Sequence, residues 1–224
     1  MIPIRTDRLR KRAPLVTWTL VLLNVIIFVW DRQGSVFGQS AVFADMAMRP
    51  KQVVEVLQGA GETLPLVTIF TSLFLHGSLI HLLGNLVYLI VFGGGVEDAM
   101  GPVRFTLYYL FWGVAATLTQ IFVDPNSMVP TLGASGAIGG VLGAFFLLFP
   151  SSKIEILVPF LILTFEVSAW ILLGLWFLMQ ILLPQESVAN WAHAGGFLAG
   201  MITVLVMGGR KAVVGDREES FELV

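Results

Sequence analysis

Four polar side chains stand inside apolar stretches of this 224-residue chain: His81 and Asn85 in FLHGSLIHLLGN, Ser135 in TLGASGAIGGVLG, and His193 in NWAHAGGFLAG. A serine hydroxyl is a poor nucleophile until a base takes its proton, and imidazole is the usual base near neutral pH. Ser135 paired with His193 has the chemistry to attack an acyl carbon. Gly133 and Gly136 flank the serine at a predicted helix start, where backbone N–H groups without intrahelical partners are placed to hold a developing oxyanion. The pattern is G-x-S-G, not the G-x-S-x-G of soluble hydrolases, because Ala137 takes the last place. His81 and Asn85 are four apart, share a helix face, and both can donate to such an anion. No Asp or Glu lies beside these residues, so the constellation is a dyad without the acid of a full triad. Asn190, one turn before His193, is the candidate to orient its ring. His76 is five residues before His81, roughly 140° around a helix, and is expected off that face, at the membrane surface.

Taken singly, each residue has a plainer reading. A serine in an apolar helix commonly bonds back to its own backbone or eases helix packing, and a lone histidine commonly packs as a hydrogen-bonded core residue. The weight comes from four such residues on three distant segments, which requires asking what elements carry them.

The chain is 56% hydrophobic and 12% charged, with a mean hydropathy of +0.85. Soluble domains carry about 25% charged residues, and here the deficit falls in long uncharged runs, as in a bilayer-spanning chain. Six apolar segments are predicted: 15–30, 76–92, 103–123, 132–149, 160–183 and 191–208. The first is short for a span, with Trp18 and Trp30 as interfacial anchors, and WDRQGS after it does not read as a signal-peptide cleavage site. Around Pro159 and Glu166 two readings fit: an interfacial stretch plus one helix, or a short hairpin plus a helix. The first is adopted, because 154–165 is too short to cross alone. With the N-terminus in the cytoplasm, ten Lys and Arg residues fall inside (Arg5, Arg8, Arg10, Lys11, Arg12, Arg104, Lys153, Arg210, Lys211, Arg217) and three outside (Arg32, Arg49, Lys51). That split obeys the positive-inside rule and places both termini in the cytoplasm.

Segments two, four and six then enter from the outside, and Ser135, His193, His81 and Asn85 share one depth in the outer leaflet. Small residues on the Ser135 helix (Gly136, Gly139, Gly140, Gly143) are expected to face Gly195, Gly196 and Gly200, allowing the close approach that a Ser–His hydrogen bond needs. Residues 1–14 read as a cytoplasmic segment, 15–208 as one membrane domain, and 209–224 as a cytoplasmic, disordered tail. In the first external loop, 31–75, the stretch 41–58 mixes apolar and charged residues and is expected to form short interfacial helices.

These motifs, in this order, resemble the rhomboid family of intramembrane serine proteases. The resemblance is carried by MIPIR, FTSLFLHGSLIHLLGN, GGGVEDAMGPVRF, GASGAIGGVLGAFF and WAHAGGFLAG, and covers most of the chain. It implies an all-α membrane protein, a six-transmembrane-helix rhomboid-like bundle with a water-filled cavity open to the outside. It implies Ser135 as nucleophile, His193 as general base, and His81, Asn85 and the Ser135 backbone N–H as the oxyanion hole. It further implies a lateral gate at 166–183 with a cap at 184–190, a structural loop at GGGVEDAMG, and Glu97 as a hydrogen-bonding residue there. Some members carry an aromatic residue four places after the serine, stacked on the imidazole, and some a Trp-Arg pair in the first loop. Here the former position is Gly139 and the latter is not found.

The implied reaction is hydrolysis of peptide bonds in or next to transmembrane segments, with membrane proteins as substrates, the lipid bilayer as medium and no cofactor. Zero cysteines exclude thiol catalysis and Cys-based zinc sites. No H-E-x-x-H occurs and no carboxylate shares the histidines' depth, so no metal is expected. No basic stripe suggests nucleic acid. A catalytically inactive rhomboid-like protein that binds transmembrane helices is the rival reading, though such proteins normally lack the Ser or the His. A transporter should place ionisable pairs at the midplane, and no inverted repeat is seen. A prokaryotic plasma membrane is the expected location.

Overall fold

The computed structural model describes residues 2–33, 41–159, 161–185 and 188–215. The chain is mostly helical. Strand β1 (Ile2–Thr6) precedes α1 (Leu15–Asp31). Helices α2 (Pro50–Leu57) and α3 (Leu64–Thr71) follow, with a 3-10 turn at Ala44–Met46 before them, so 41–58 does form short helices. Helix α4 (Leu79–Tyr88) runs through a π-helical turn (Leu89–Gly93) into α5 (Gly94–Met100). Next come α6 (Pro102–Val123), α7 (Ser135–Leu148), strands β2 (Lys153–Val158) and β3 (Leu163–Ser168), α8 (Ala169–Leu182), α9 (Asn190–Val206) and α10 (Gly209–Val214).

By length and composition, Leu79–Met100 and Pro102–Val123 are each long and apolar enough to cross a membrane, at 22 residues, while five other apolar helices are shorter. Their outward faces are apolar: Leu22, Ile26 and Trp30 on α1, Phe111 and Phe122 on α6, and Leu175, Leu178 and Leu182 on α8 are all exposed. The interior is built on Trp112, Tyr109, Phe92, Phe105, Phe145 and Phe197, all essentially inaccessible.

Three expectations need correction. The bundle is not wholly α. A three-stranded antiparallel sheet, ordered β1-β2-β3, joins the N-terminus to the α7–α8 connection. The run 154–165 therefore falls within two paired strands, and a single helix follows it. Alternation explains why: Ile154 and Ile156 turn inward and are buried, Lys153 and Glu155 turn outward, and β1 supplies the partner strand. The Arg5 guanidinium bonds Glu155 across β1 and β2 and holds its carboxyl below the usual carboxylate range.

Second, GGGVEDAMG is helix up to Met100, and the turn contracts to Gly101 at φ +81°, with Pro102 opening α6. Glu97 does bond, but across to α1: it accepts from the Val16 and Thr17 N–H groups at 2.9 and 2.8 Å and from Thr17 Oγ1 at 2.8 Å. Helix α1 has no side-chain cap of its own, so this carboxylate serves the donors that a helix start leaves unpaired. Third, the expected disordered tail begins with a helix, α10, whose Val213 and Val214 pack on the core. The remainder of that tail, 216–224, lies outside the described residues.

Candidate active site

Helix α4 starts where it does because Ser78 is extended and its hydroxyl oxygen accepts from the His81 N–H at 3.1 Å, an N-cap. That cap sets His81 in the first turn and Asn85 one turn later, on the same face. Asn85 is buried and its amide donates to the His81 carbonyl at 3.1 Å, which leaves its second amide hydrogen for another acceptor.

Ser135 opens α7. Gly133, two residues earlier, has φ +120°, a conformation that favours glycine, and its N–H donates to the Ser72 carbonyl at 2.8 Å. A Cβ at Gly133 would lie 2.7 Å from His81 Nε2 and 3.6 Å from Ser135 Oγ, so the His81 ring occupies the space over Gly133 beside the serine. The first-turn N–H groups of α7 lie ahead of its first intrahelical bond, from Ile138 N to Ala134 O.

His193 lies in the first turn of α9, and its Nε2 is 2.7 Å from Ser135 Oγ. The approach depends on glycine. A Cβ at Gly143 would collide with the Phe197 backbone, one at Gly196 with the Gly136 carbonyl, and one at Gly200 with the Gly140 carbonyl. At Gly139 it would stand 2.7 Å from the His193 carbonyl. Of the expected small residues, Gly195 stands off this seam and faces Thr119 of α6. Gly136 and Gly140 meet α9 through their carbonyls, while their own Cβ directions turn to Ala116 and Trp112 of α6. With about 100° between successive helical residues, 195 and 196 cannot share a face.

All four residues singled out by sequence line one cavity of about 660 Å³, with Trp176, Gln180 and Asn190. Among its described lining residues there is no carboxylate. Asn190 does not orient the ring. Its amide donates to the Gln185 and Val188 carbonyls, at 3.1 and 2.9 Å, and so holds the segment before α9. The partner of His193 Nδ1 is Gln180 Oε1 on α8, at 2.9 Å. The ring also stacks on Trp176, one helical turn earlier, at a centroid distance of 6.0 Å and 30° between planes. The aromatic face missing at Gly139 is therefore supplied from α8, because the α9 backbone approaches position 139 too closely to admit a side chain. Gln180 and Trp176 were not foreseen. The available signal was Gln180 as the one polar side chain in the apolar run 169–183.

His76 does not line this cavity. It is 1% exposed, and its ring meets that of His81 edge-on at 5.2 Å. It precedes the start of α4, so a helical wheel does not govern its direction. Arg32 lies buried nearby, donating to the His76 and Gly77 carbonyls at 3.0 and 2.7 Å.

Such an arrangement can move a proton from a hydroxyl to an imidazole, with backbone and amide N–H donors beside the oxygen that would become a nucleophile. Comparison with known proteins identifies the family. Residues 64–210 match the Rhomboid domain. The chain is 30% identical over 200 residues to "Rhomboid protease GluP" of Bacillus subtilis, covering 89% of this chain and 36% of that protein. It is 29% identical over 209 residues to "Rhomboid protease GlpG" of Salmonella typhi, covering 88% of this chain and 65% of that protein. It is 30% identical over 142 residues to "RHOMBOID-like protein 5" of Arabidopsis thaliana, covering 62% of this chain and 43% of that protein. The chain thus spans less than half the length of the plant relative.

Proposed function

The chain belongs to the rhomboid family of membrane-embedded proteins, and from that premise we propose that it is an intramembrane serine endopeptidase using Ser135 and His193. The observation that carries this reading is the 2.7 Å contact between Ser135 Oγ and His193 Nε2 inside a cavity that His81 and Asn85 also line. In the proposed cycle Nε2 takes the hydroxyl proton as Oγ attacks the scissile carbonyl carbon. The Ser135 N–H, the free amide hydrogen of Asn85 and the His81 ring hold the oxyanion. The imidazolium returns its proton to the leaving amine as the C–N bond breaks. A water, deprotonated by the same nitrogen, then cleaves the acyl ester and restores Ser135.

Six crossings are proposed: α1, α4 with α5, α6, α7, α8 and α9, with both termini cytoplasmic as the Lys and Arg placement requires. Helix α7 has 14 residues. At 1.5 Å per residue it spans about 21 Å, short of the ~30 Å hydrocarbon layer. With its C-terminal end near the sheet that carries Lys153, its N-terminus and Ser135 stop below the outer surface, at a depth that water can reach through the cavity. Substrates are proposed to be membrane proteins whose helices unwind locally, since a helical peptide bond is shielded by its own turn. Helix α8 and the segment 184–190 are the proposed gate and cap; residues 186 and 187 lie outside the described residues.

Reconstitution with a membrane-anchored reporter tests this. Ser135→Ala and His193→Ala are expected to lower cleavage by about 10⁴-fold or more. Cleavage at the wild-type rate by either variant, or fluorophosphonate labelling that survives loss of Ser135, would overturn the mechanism.

A further inference from the structure

A serine–histidine dyad leaves one requirement unassigned. Neutral imidazole carries its proton on either nitrogen, and only the form with Nδ1–H leaves Nε2 free to take a proton from serine. In a triad a carboxylate selects that form, but none lines this cavity among the described residues.

We propose that Gln180 is the positioning residue that selects the working tautomer of His193. The inference rests on the Ser135–His193 reading. Its warrant is the direction of the Gln180 amide. The Nε2 amino group donates to the Trp176 carbonyl at 3.2 Å, one turn back on α8. The opposite end, Oε1, then faces His193 Nδ1 at 2.9 Å. Turning the amide over would set Oε1 against the Trp176 carbonyl, two acceptors without a proton between them, so the helix backbone fixes which atom meets the ring. An amide oxygen only accepts, which obliges Nδ1 to carry the proton. Nε2 is then a lone pair, 2.7 Å from Ser135 Oγ, and must accept from the hydroxyl. The chain of bonds has one consistent direction, from Ser135 through His193 and Gln180 to the Trp176 carbonyl. The ring of that same Trp176 stacks on the imidazole and limits its tilt. Being neutral, Gln180 stabilises the imidazolium less than a carboxylate would, and it does so without burying a charge. Because Trp176 and Gln180 both belong to α8, the base is oriented only while α8 is seated against α9.

The test uses the full chain in lipid and four variants. Gln180→Met keeps the length of the side chain and removes the acceptor. Gln180→Glu keeps an acceptor oxygen in either protonation state. Expected are a kcat about 10- to 100-fold lower in Gln180→Met with KM within about twofold, less than the ~10⁴-fold cost of losing a charged orienting aspartate, and recovery toward wild type in Gln180→Glu. Nitrogen-15 NMR of the histidines supplies a readout independent of turnover. The chain has only three histidines, and His193→Ala identifies the signal. Wild-type His193 is expected to show a protonated Nδ1 and an unprotonated Nε2, and Gln180→Met a mixture of the two forms.

Wild-type kcat in Gln180→Met, or an unchanged tautomer there, overturns the proposal while leaving the dyad intact. So does a Gln180→Glu variant as slow as Gln180→Met. If Gln180→Met does not fold, the wild-type spectrum decides alone, and a protonated Nε2 overturns the assignment. Failure of the dyad itself is read separately, from cleavage by Ser135→Ala.

Discussion

Helices α7 and α8 have the same length and nearly the same apolar composition, yet they hold the site in opposite ways. Eleven of the fourteen residues of α7 are buried, against two of fourteen in α8. Helix α7 meets α9 through glycines at backbone contact, where no side-chain motion can absorb a change. Helix α8 meets α9 through rings, with Phe177 on Phe197 at 4.8 Å and Trp176 on His193 at 6.0 Å. The proposed nucleophile and base, Ser135 and His193, sit on the rigid pair. The groups proposed to orient the base sit on α8, the far less buried of the two.

That contrast can be broken or sharpened by substitution. The largest effect is expected at the glycine seam. Gly143→Leu should not accumulate as folded protein, and Gly143→Ala should lose about 1–3 kcal/mol or more in thermal or denaturant unfolding, since its Cβ would meet the Phe197 backbone. A milder wedge at the same seam tests geometry rather than folding. Gly139→Ala pushes on the His193 carbonyl, and a displacement near 1 Å costs about 10²-fold in rate, so kcat should fall that far with the protein still folded. On α8, Trp176→Ala removes two ring contacts, with His193 and Phe197, each worth about 0.5–1.5 kcal/mol. Its expected result is a kcat lower by about threefold to tenfold, by reporter cleavage, with a loss in unfolding smaller than that of Gly143→Leu. Smallest of all should be Gly174→Ala, whose Cβ would meet Phe146 at an ordinary 3.6 Å. Unfolding should be unchanged or improved by up to about 1 kcal/mol, the helix preference of Ala over Gly. A Gly174→Ala variant as damaged as Gly143→Ala would erase the distinction between the two helices.

Much of the site was legible because its information is local. Ser78, His81 and Asn85 fall within eight residues, and a capped helix start fixes their relative directions once the period is known. Ser135 at a glycine-flanked helix start was equally readable. His76 precedes the Ser78 cap, so the helical period that relates His81 to Asn85 does not extend to it, and its burial beside the His81 ring was not legible from spacing. The hairpin at 153–168 was not foreseen because β2 gains its meaning from β1, some 150 residues earlier, and long-range pairing leaves no mark in a local window. Glu97 was recognised as a bonding residue but not as the cap of α1, a helix that begins about 80 residues before it.

The sequence by itself determined the candidate set, Ser135, His193, His81 and Asn85, which the fold gathers in one cavity, because each chemical type stands at a spacing that a single helix start converts into direction. Tertiary structure alone decided what completes it. Whether Asn190 or Gln180 reaches Nδ1, and whether an aromatic ring from α7 or from α8 covers the imidazole, depends on the rotation and separation of packed helices. Those are set by glycine contacts between backbones, which residue types announce as possible and only the packed fold makes specific.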